Sequence, residues 1–225
     1  MSQVNLQPVK TTVALEGQRV TLTAWGTVSE MAANEFRLNL TTDLSDLQEH
    51  LTPVLAAQLN RSDRCGERLS VERASLAPEA PAGLLTVYLH YERWGCAKAF
   101  GKEIVKRLLG GNGVIEVLLT PSVDAGTVSV ASEVWKIDAD GSLGEVLRSG
   151  SPGQSLREKI AASIRSAFQK SLDPKSALPP AAAERLTIQS VQFADGGAGH
   201  LWLNAAGDVR IPAEQVHALL GGAGR

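Results

Sequence analysis

The order of hydrophobic and polar residues predicts strands at the start of the chain and an amphipathic helix after them. Apolar and polar residues alternate through Arg19–Trp25 and Glu35–Thr41, as in half-buried β-strands. The spacing then changes to three and four, with leucines at Leu44, Leu47, Leu51, Leu55 and Leu59. Because Thr41-Thr42-Asp43 offers an N-cap, we predict a helix over Leu44–Leu59. Pro53 predicts either a kink in this helix or a break that restarts at Thr52-Pro53.

Strand signals return after this helix. Arg68–Leu76 and Leu84–Trp94 again alternate between apolar and polar or mixed positions, which predicts two further strands. Lys102–Leu109 is compatible with a short helix, because Gly110-Gly111-Asn112-Gly113 would end it. We therefore expect a short helix between the strands of this part of the chain.

A β-hairpin follows. Val114–Thr120 and Thr127–Ile137 are rich in strand-forming residues, and Asp124-Ala125-Gly126 between them has the chemistry of a hairpin turn. The apolar phase slips before Trp135 in the second of these strands, and a similar slip occurs within Leu186–Phe193. Each slip predicts a β-bulge or a strong local twist.

The second amphipathic helix is predicted over Leu156–Leu172. Its apolar stripe consists of Leu156, Ile160, Ile164, Ala167 and Phe168. Strands are predicted at Leu186–Phe193 and His200–Ala206, and a short terminal helix begins at Pro212. This order lacks a βαβ rhythm, so we expect one α+β domain over residues 1–225, in which a long, twisted antiparallel sheet is wrapped around two amphipathic helices.

Composition and charge narrow the classes of partner. Hydrophobic residues make up 44% of the chain, and 22 basic and 24 acidic residues are interspersed to give a net charge of −2. This distribution argues against binding to nucleic acid and against a polybasic membrane anchor. No stretch approaches the length of a transmembrane helix, so no transmembrane segment is expected. Met1–Lys10 lacks the basic start and apolar core of a signal peptide, so export would require a signal outside this sequence.

The two cysteines, Cys65 and Cys96, bear on the cellular compartment. Neither belongs to a CxxC pair, which disfavours zinc or thioredoxin-like chemistry. We predict a Cys65–Cys96 disulfide, which would stabilise the fold by roughly 3–4 kcal/mol in the chain-entropy model. Such a bond favours an oxidising compartment, and we expect a periplasmic or otherwise extracytoplasmic protein. Two unrelated thiols in a cytosolic protein are the alternative.

Motifs for catalysis are missing from the sequence. There is no G-x-S-x-G elbow, S-x-x-K triplet or Walker loop, and the glycine clusters lack the residues of a phosphate cradle. The four histidines, His50, His90, His200 and His217, are not spaced as metal ligands. Asp138-Ala139-Asp140-Gly141 resembles part of a calcium loop, but Lys136 replaces the first carboxylate. We therefore expect no enzyme activity, no cofactor and no metal site.

All four tryptophans fall in segments that resemble strands. Trp25 and Trp202 lie on the face opposite the aliphatic residues that flank them. Either both faces of the sheet are covered, with the rings packed in a core, or some aromatic surface is offered to a ligand or partner.

The order of elements resembles that of the tubular lipid-binding (TULIP-like) proteins, the family of the bactericidal permeability-increasing protein and the synaptotagmin-like membrane domains. The resemblance rests on the strand Phe36–Leu40 running into the first helix, the long hairpins of residues 84–137, and the late helix followed by two strands. It covers most of the chain as an order of elements and not as a motif. It implies a curved antiparallel sheet around a helix, with lipid in the groove between them.

Our leading hypothesis from the sequence is a carrier or envelope-associated protein that binds a lipid or another apolar ligand between its helices and its sheet. The residues expected to line the groove are Leu47, Leu51, Leu55, Val117, Leu119, Ile160, Ile164 and Phe168. All of them would serve equally well in a solid core. The alternative is an assembly module without a ligand, which would bind a protein of the envelope through a sheet edge or the tryptophans.

Overall fold

Strands make up most of the chain that the structure describes. The computed structural model describes residues 3–99, 102–124, 126–148 and 184–210, together with residues 154, 158, 161, 162 and 212. Its strands are β1 (Gln3–Leu15), β2 (Gln18–Ala32), β3 (Glu35–Asp43), β4 (Arg61–Ser62), β5 (Gly66–Glu79), β6 (Ala82–Ala99), β7 (Lys102–Asp124), β8 (Thr127–Ala139), β9 (Leu186–Asp195) and β10 (Leu201–Arg210). Its helices are α1 (Ser45–Leu59) and α2 (Gly141–Arg148).

The strands form two antiparallel sheets of five strands each. Sheet A has the order β1-β2-β3-β10-β9, so the two last strands complete a sheet that the first three begin. Alternate residues of sheet A, such as Val20, Leu22 and Leu203, are buried and form its inner face. Sheet B has the order β4-β5-β6-β7-β8 and is built from one continuous stretch of chain.

Helix α1 lies between the two sheets. It contacts β5 of sheet B on one side and β2 and β10 of sheet A on the other. Its buried residues are Leu47, Leu51, Val54, Leu55 and Leu59. They belong to one hydrophobic cluster that includes inner-face residues of both sheets, because an amphipathic stripe in this position has an apolar partner on each side.

The predicted fold class is wrong. The described residues form two sheets with one helix of 15 residues between them and a second helix of eight residues, not one long sheet wrapped around two amphipathic helices. The sequence pattern predicted strands but did not indicate that they divide between two sheets. The division depends on the pairing of β3 with β10, and these two strands are far apart in sequence. The predicted helix over Leu156–Leu172 lies outside the described residues, apart from Glu158, Ala161 and Ala162, and so does the predicted terminal helix after Pro212.

The short helix predicted over Lys102–Leu109 is also wrong. This segment is the first part of β7, and it pairs with the end of β6 from Ala99 back to Arg93. The glycines that were expected to end a helix lie inside the strand. A Cβ on Gly111 would lie 3.2 Å from the carbonyl oxygen of Asp140 and 3.4 Å from the Cβ of Leu143. The missing side chain therefore lets the start of α2 approach the strand.

Several local predictions are confirmed. Asp124 pairs with Thr127 across the β7–β8 turn. The register of this hairpin shifts at Trp135, and that of β9–β10 shifts at Gln189, so both phase slips are bulges. Helix α1 is continuous across Pro53, which excludes the predicted break.

The Cys65–Cys96 disulfide is present, with a Cα–Cα distance of 5.5 Å. It joins the segment before β5 to the distal part of β6. The bond is typical of proteins that fold in an oxidising environment.

Candidate functional site

The predicted groove residues that the structure describes do come together. Leu47, Leu51 and Leu55 on α1 and Val117 and Leu119 on β7 belong to the same hydrophobic cluster. The other three predicted residues, Ile160, Ile164 and Phe168, lie outside the described residues. The sequence therefore identified one side of the interior from the helix stripe and the strand alternation.

These five side chains are covered by protein atoms. Leu47 is 2% exposed and the other four are completely buried. Leu85, Val87 and Phe193, which belong to the same cluster, are also completely buried. An open apolar channel beside these residues would leave part of their surface accessible. The described part of the interior is therefore a packed core at α1.

Two polar residues that the sequence analysis did not single out fix α1 to both sheets. The amide nitrogen of Gln48 donates to the carbonyl oxygens of Leu76 (2.7 Å) and Gly199 (2.9 Å), and its oxygen accepts from the backbone nitrogen of Leu201 (2.9 Å). The hydroxyl of Thr52 accepts from the backbone nitrogen of Ala74 at 2.9 Å. A polar residue beside a leucine stripe normally faces solvent, so the sequence held no signal for this bridge.

Trp25 and Trp202 form a pair on the outer face of sheet A, the face opposite the inner face. Their ring centroids lie 5.3 Å apart with an interplanar angle of 86°, an edge-to-face contact. Both residues are half-buried, and their position opposite the aliphatic residues is the one predicted. The pair arises because β2 and β10 both flank β3, where Thr41 pairs with Trp25 and Asp43 pairs with Trp202.

Polar side chains continue this outer face away from the tryptophan pair. Thr41 donates to the side-chain oxygen of Asn204 at 2.9 Å. Farther along, the guanidinium of Arg37 binds the carboxylate of Asp208 at 2.5 Å, and Gln189 donates to the same carboxylate. These pairs neutralise the charges of the face and order its hydroxyl and amide groups. The outer face thus combines two aromatic rings with paired polar groups.

The other two tryptophans lie elsewhere. The guanidinium carbon of Arg68 lies 4.3 Å from the ring centroid of Trp94, and the indole nitrogen of Trp94 donates to Glu92 at 2.8 Å. Trp135, the bulged residue of β8, is 62% exposed. Neither contributes to the outer face of sheet A.

A serine, a histidine and an aspartate meet where α1 begins. The hydroxyl of Ser45 lies 2.5 Å from a carboxylate oxygen of Asp43 and 2.7 Å from Nδ1 of His200. The same oxygen of Asp43 accepts from the backbone nitrogen of Ser45 at 2.9 Å. The hydroxyl of Ser45 therefore donates its proton to the hydrogen bond with the Asp43 carboxylate. Nδ1 of His200 is left to donate to the oxygen of Ser45. A nucleophilic serine needs the histidine as acceptor, so this arrangement supports the helix start and not acyl transfer.

Glu92 is the centre of an ionic cluster on sheet B. It accepts from the indole of Trp94 and from the guanidinium of Arg107 at 3.0 Å, and these bonds lower the pKa of its carboxyl to about 2. His90 forms a 2.6 Å hydrogen bond to Asn112, which raises the pKa of the imidazole above its usual value. Because Glu92 is held ionised by its partners, it serves as a structural anion and not as a general acid.

In the part of the chain that the structure describes, Cys65, Cys96 and Glu103 form a further group of potential metal ligands, with their ligand atoms close together. The two sulfurs are bonded to each other and Glu103 forms an ion pair with Arg64 at 2.8 Å, so the atoms are already occupied. Among the described residues, no helix is long and apolar enough to cross a membrane. No protein-family model and no curated protein matches this chain.

Proposed function

We propose that this protein is a non-catalytic binding module of the periplasm or another extracytoplasmic compartment, with a solid core and a recognition surface on the outer face of sheet A. The observation that carries the proposal is a packed core at α1, where protein atoms bury Leu51, Leu55, Val117 and Leu119. Such a core favours binding at the surface over binding in the interior. The Cys65–Cys96 disulfide supports the compartment.

The chemistry of the outer face favours a protein partner. Tryptophan is enriched among the residues that dominate binding energies at protein interfaces, and Trp25 and Trp202 present an aromatic pair in which each ring fixes the other. The Arg37–Asp208 pair at one end leaves no unpaired charge to desolvate there. A partner that inserts an apolar side chain beside the rings and pairs with the amides of this face would match it.

Site-directed photo-crosslinking in the native host tests this surface. A benzophenone amino acid replaces Asn204, next to the tryptophan pair, and in a second variant it replaces Lys136 on β8. We expect one defined protein adduct from position 204 that is lost when Trp25→Ala is added. The matched control is Trp135→Ala, which removes an exposed tryptophan elsewhere and should leave the adduct unchanged. Equal adducts from positions 204 and 136, or an adduct insensitive to Trp25→Ala, would refute the proposal.

Binding of a lipid or other apolar ligand is the second candidate function. It is favoured by the hydrogen bond from the hydroxyl of Ser132 to the carbonyl oxygen of Ala161 at 3.1 Å, which brings part of the second predicted amphipathic segment beside β8. Ser132 alternates with Val130 and Val134, which contact the core, so this contact is on the inner face of sheet B. An apolar ligand between that segment and sheet B is the arrangement that the TULIP-like resemblance implies, and the resemblance stays a prediction.

Native mass spectrometry of gently purified protein separates the two candidates. The solid-core proposal expects the mass of the chain alone. An acyl species that co-purifies with the wild type, and is lost in a Leu51→Trp variant with an unchanged circular dichroism spectrum, would support the carrier instead. Ala161→Trp, at the other side of the contact, should have the same effect if the ligand lies there.

A further inference from the structure

The distal end of the β6–β7 hairpin forms an arm that extends beyond the rest of sheet B. Among the described strands, residues 95–99 of β6 and 102–108 of β7 pair only with each other, because the pairing of β5 with β6 ends at Trp94 and that of β7 with β8 begins at Gly113. We call these two segments the hairpin arm. No other described strand pairs with either edge of the arm.

One face of the arm is fixed to the body of the protein. Cys96 on this face forms the disulfide with Cys65, and Glu103 forms the ion pair with Arg64. Arg107 binds Glu92 at 3.0 Å on the same side. Glu103 and Arg107 of this face therefore have ionic partners, and the covalent bond holds the arm in place.

The opposite face exposes two large aliphatic side chains. Ile104 is 53% exposed and Leu108 is 62% exposed. Leu108 is the extra residue of a bulge in the pairing with β6, and its side chain lies over Gly95, where an added Cβ would be only 3.0 Å from it. The bulge and the glycine together turn Leu108 to the same side as Ile104. Ile104 and Leu108 are therefore two exposed aliphatic residues on one face of the arm, with Lys106 between them in the strand.

Lysines flank these aliphatic side chains. Lys106 pairs with Gly95 and Lys102 pairs with Ala99, while Ile104 pairs with Ala97, so the three β7 residues share one face. Both lysines are exposed, and within the described chain no carboxylate forms an ion pair with either. The net charge of the whole chain is −2, so this local excess of cations is opposite in sign to the molecule.

We propose that this face of the hairpin arm docks on an anionic lipid surface. Aliphatic side chains enter the boundary between headgroups and acyl chains, while lysines extend their charges toward lipid phosphates. A protein partner is less well matched, because lysine is depleted at protein interfaces and the described residues of this face include no aromatic or arginine side chain. Attraction of the two lysines to anionic headgroups and burial of Ile104 and Leu108 would add to each other. The proposal does not depend on the outer face of sheet A.

Sedimentation with vesicles tests the proposal on the full chain. The protein is mixed with vesicles of phosphatidylcholine alone, or of phosphatidylcholine and phosphatidylglycerol in equal parts. We expect binding to the anionic vesicles that falls as salt is raised, and little binding to the neutral ones. Leu108→Ser should weaken partitioning about tenfold, since it removes one large aliphatic side chain from the boundary. Lys102→Glu with Lys106→Glu should abolish the preference for anionic vesicles.

Matched controls separate docking by the arm from nonspecific binding by other parts of the surface. Met31→Ser changes an apolar residue as exposed as Ile104 but on β2, and Lys136→Glu changes an exposed lysine on β8. Both should bind like the wild type, and all variants should keep the wild-type melting temperature. Equal binding to neutral and anionic vesicles, an equal loss in the Met31→Ser control, or retention of binding by Leu108→Ser would overturn the proposal. Binding to acidic proteins with no binding to vesicles would overturn it in favour of a protein partner.

Discussion

Replacement of Leu51 by alanine is the most direct test of a solid core at α1. Leu51 is completely buried in the middle of the helix, between the two sheets. Removal of its three outer carbons forfeits about 2.4 kcal/mol of transfer free energy, at about 0.8 kcal/mol for each buried group. The cavity adds to this, so we expect a total loss of about 3–4 kcal/mol in the free energy of unfolding, within the range of about 2–5 kcal/mol for buried leucines.

The loss should be visible both in urea unfolding and on heating. For a chain of this size it corresponds to a fall in melting temperature of about 6–16 °C, at about 2–4 °C per kcal/mol. Circular dichroism and tryptophan fluorescence should give the same midpoint, with an unchanged dependence on urea. Met31→Ala, at a residue that is 53% exposed, is the control and should change the stability by less than about 0.5 kcal/mol. A loss for Leu51→Ala no larger than that of the control would mean that Leu51 borders an unfilled space, and would refute the solid core.

Three further predictions follow from polar and glycine contacts. Gln48→Leu should lower the free energy of unfolding by about 2–4 kcal/mol, because it removes three hydrogen bonds, of which those with the backbone nitrogen of Leu201 and the carbonyl of Leu76 are part-buried. A urea midpoint equal to that of the wild type would contradict the bridging role. Ionised Glu92 contributes stability that is fully present above its ordinary pKa of 4.5 and is lost as the pH falls toward about 2. Glu92→Gln should therefore make the melting temperature depend less on pH in acid. Identical pH profiles for the variant and the wild type would exclude this contribution of Glu92. Gly111→Val should destabilise the protein by about 1–3 kcal/mol and speed amide exchange in α2, since its side chain would meet Leu143 and Asp140; unchanged exchange would show that α2 does not depend on this approach.

The sequence predicted what depends on neighbours along the chain. The leucine spacing gave α1 nearly to the residue, and the phase slip at Trp135 gave a bulge, because both patterns reflect which side of an element is buried. Lys102–Leu109 was assigned to a helix because its apolar spacing is ambiguous and the glycines after it resemble a helix end. Its strand conformation is decided by pairing with Arg93–Ala99, which no local pattern reveals.

The same limit applies to the candidate sites. The groove residues of α1 and β7 were grouped correctly because they are apolar and periodic, but whether side chains or a ligand cover them is a matter of packing. The contact between Trp25 and Trp202 requires β10 to insert beside β3, and the exposure of Leu108 requires a bulge opposite Arg93 and Trp94. These features come from the pairing of distant segments and could not be predicted from residue spacing.

The strand order of sheet A determines when each sheet can be completed during synthesis of the chain. Every strand of sheet B has been made once residue 139 leaves the ribosome, whereas β3 waits for β10 at residues 201–210. β2, which is made before α1, already covers part of this side of the helix, whereas Leu201 and Leu203 reach the same cluster only when β10 has been made. A chain that ends before β9 would therefore carry all the strands of sheet B and only three strands of sheet A. The last two strands of the described fold therefore complete a core that begins with residues of the first third of the chain.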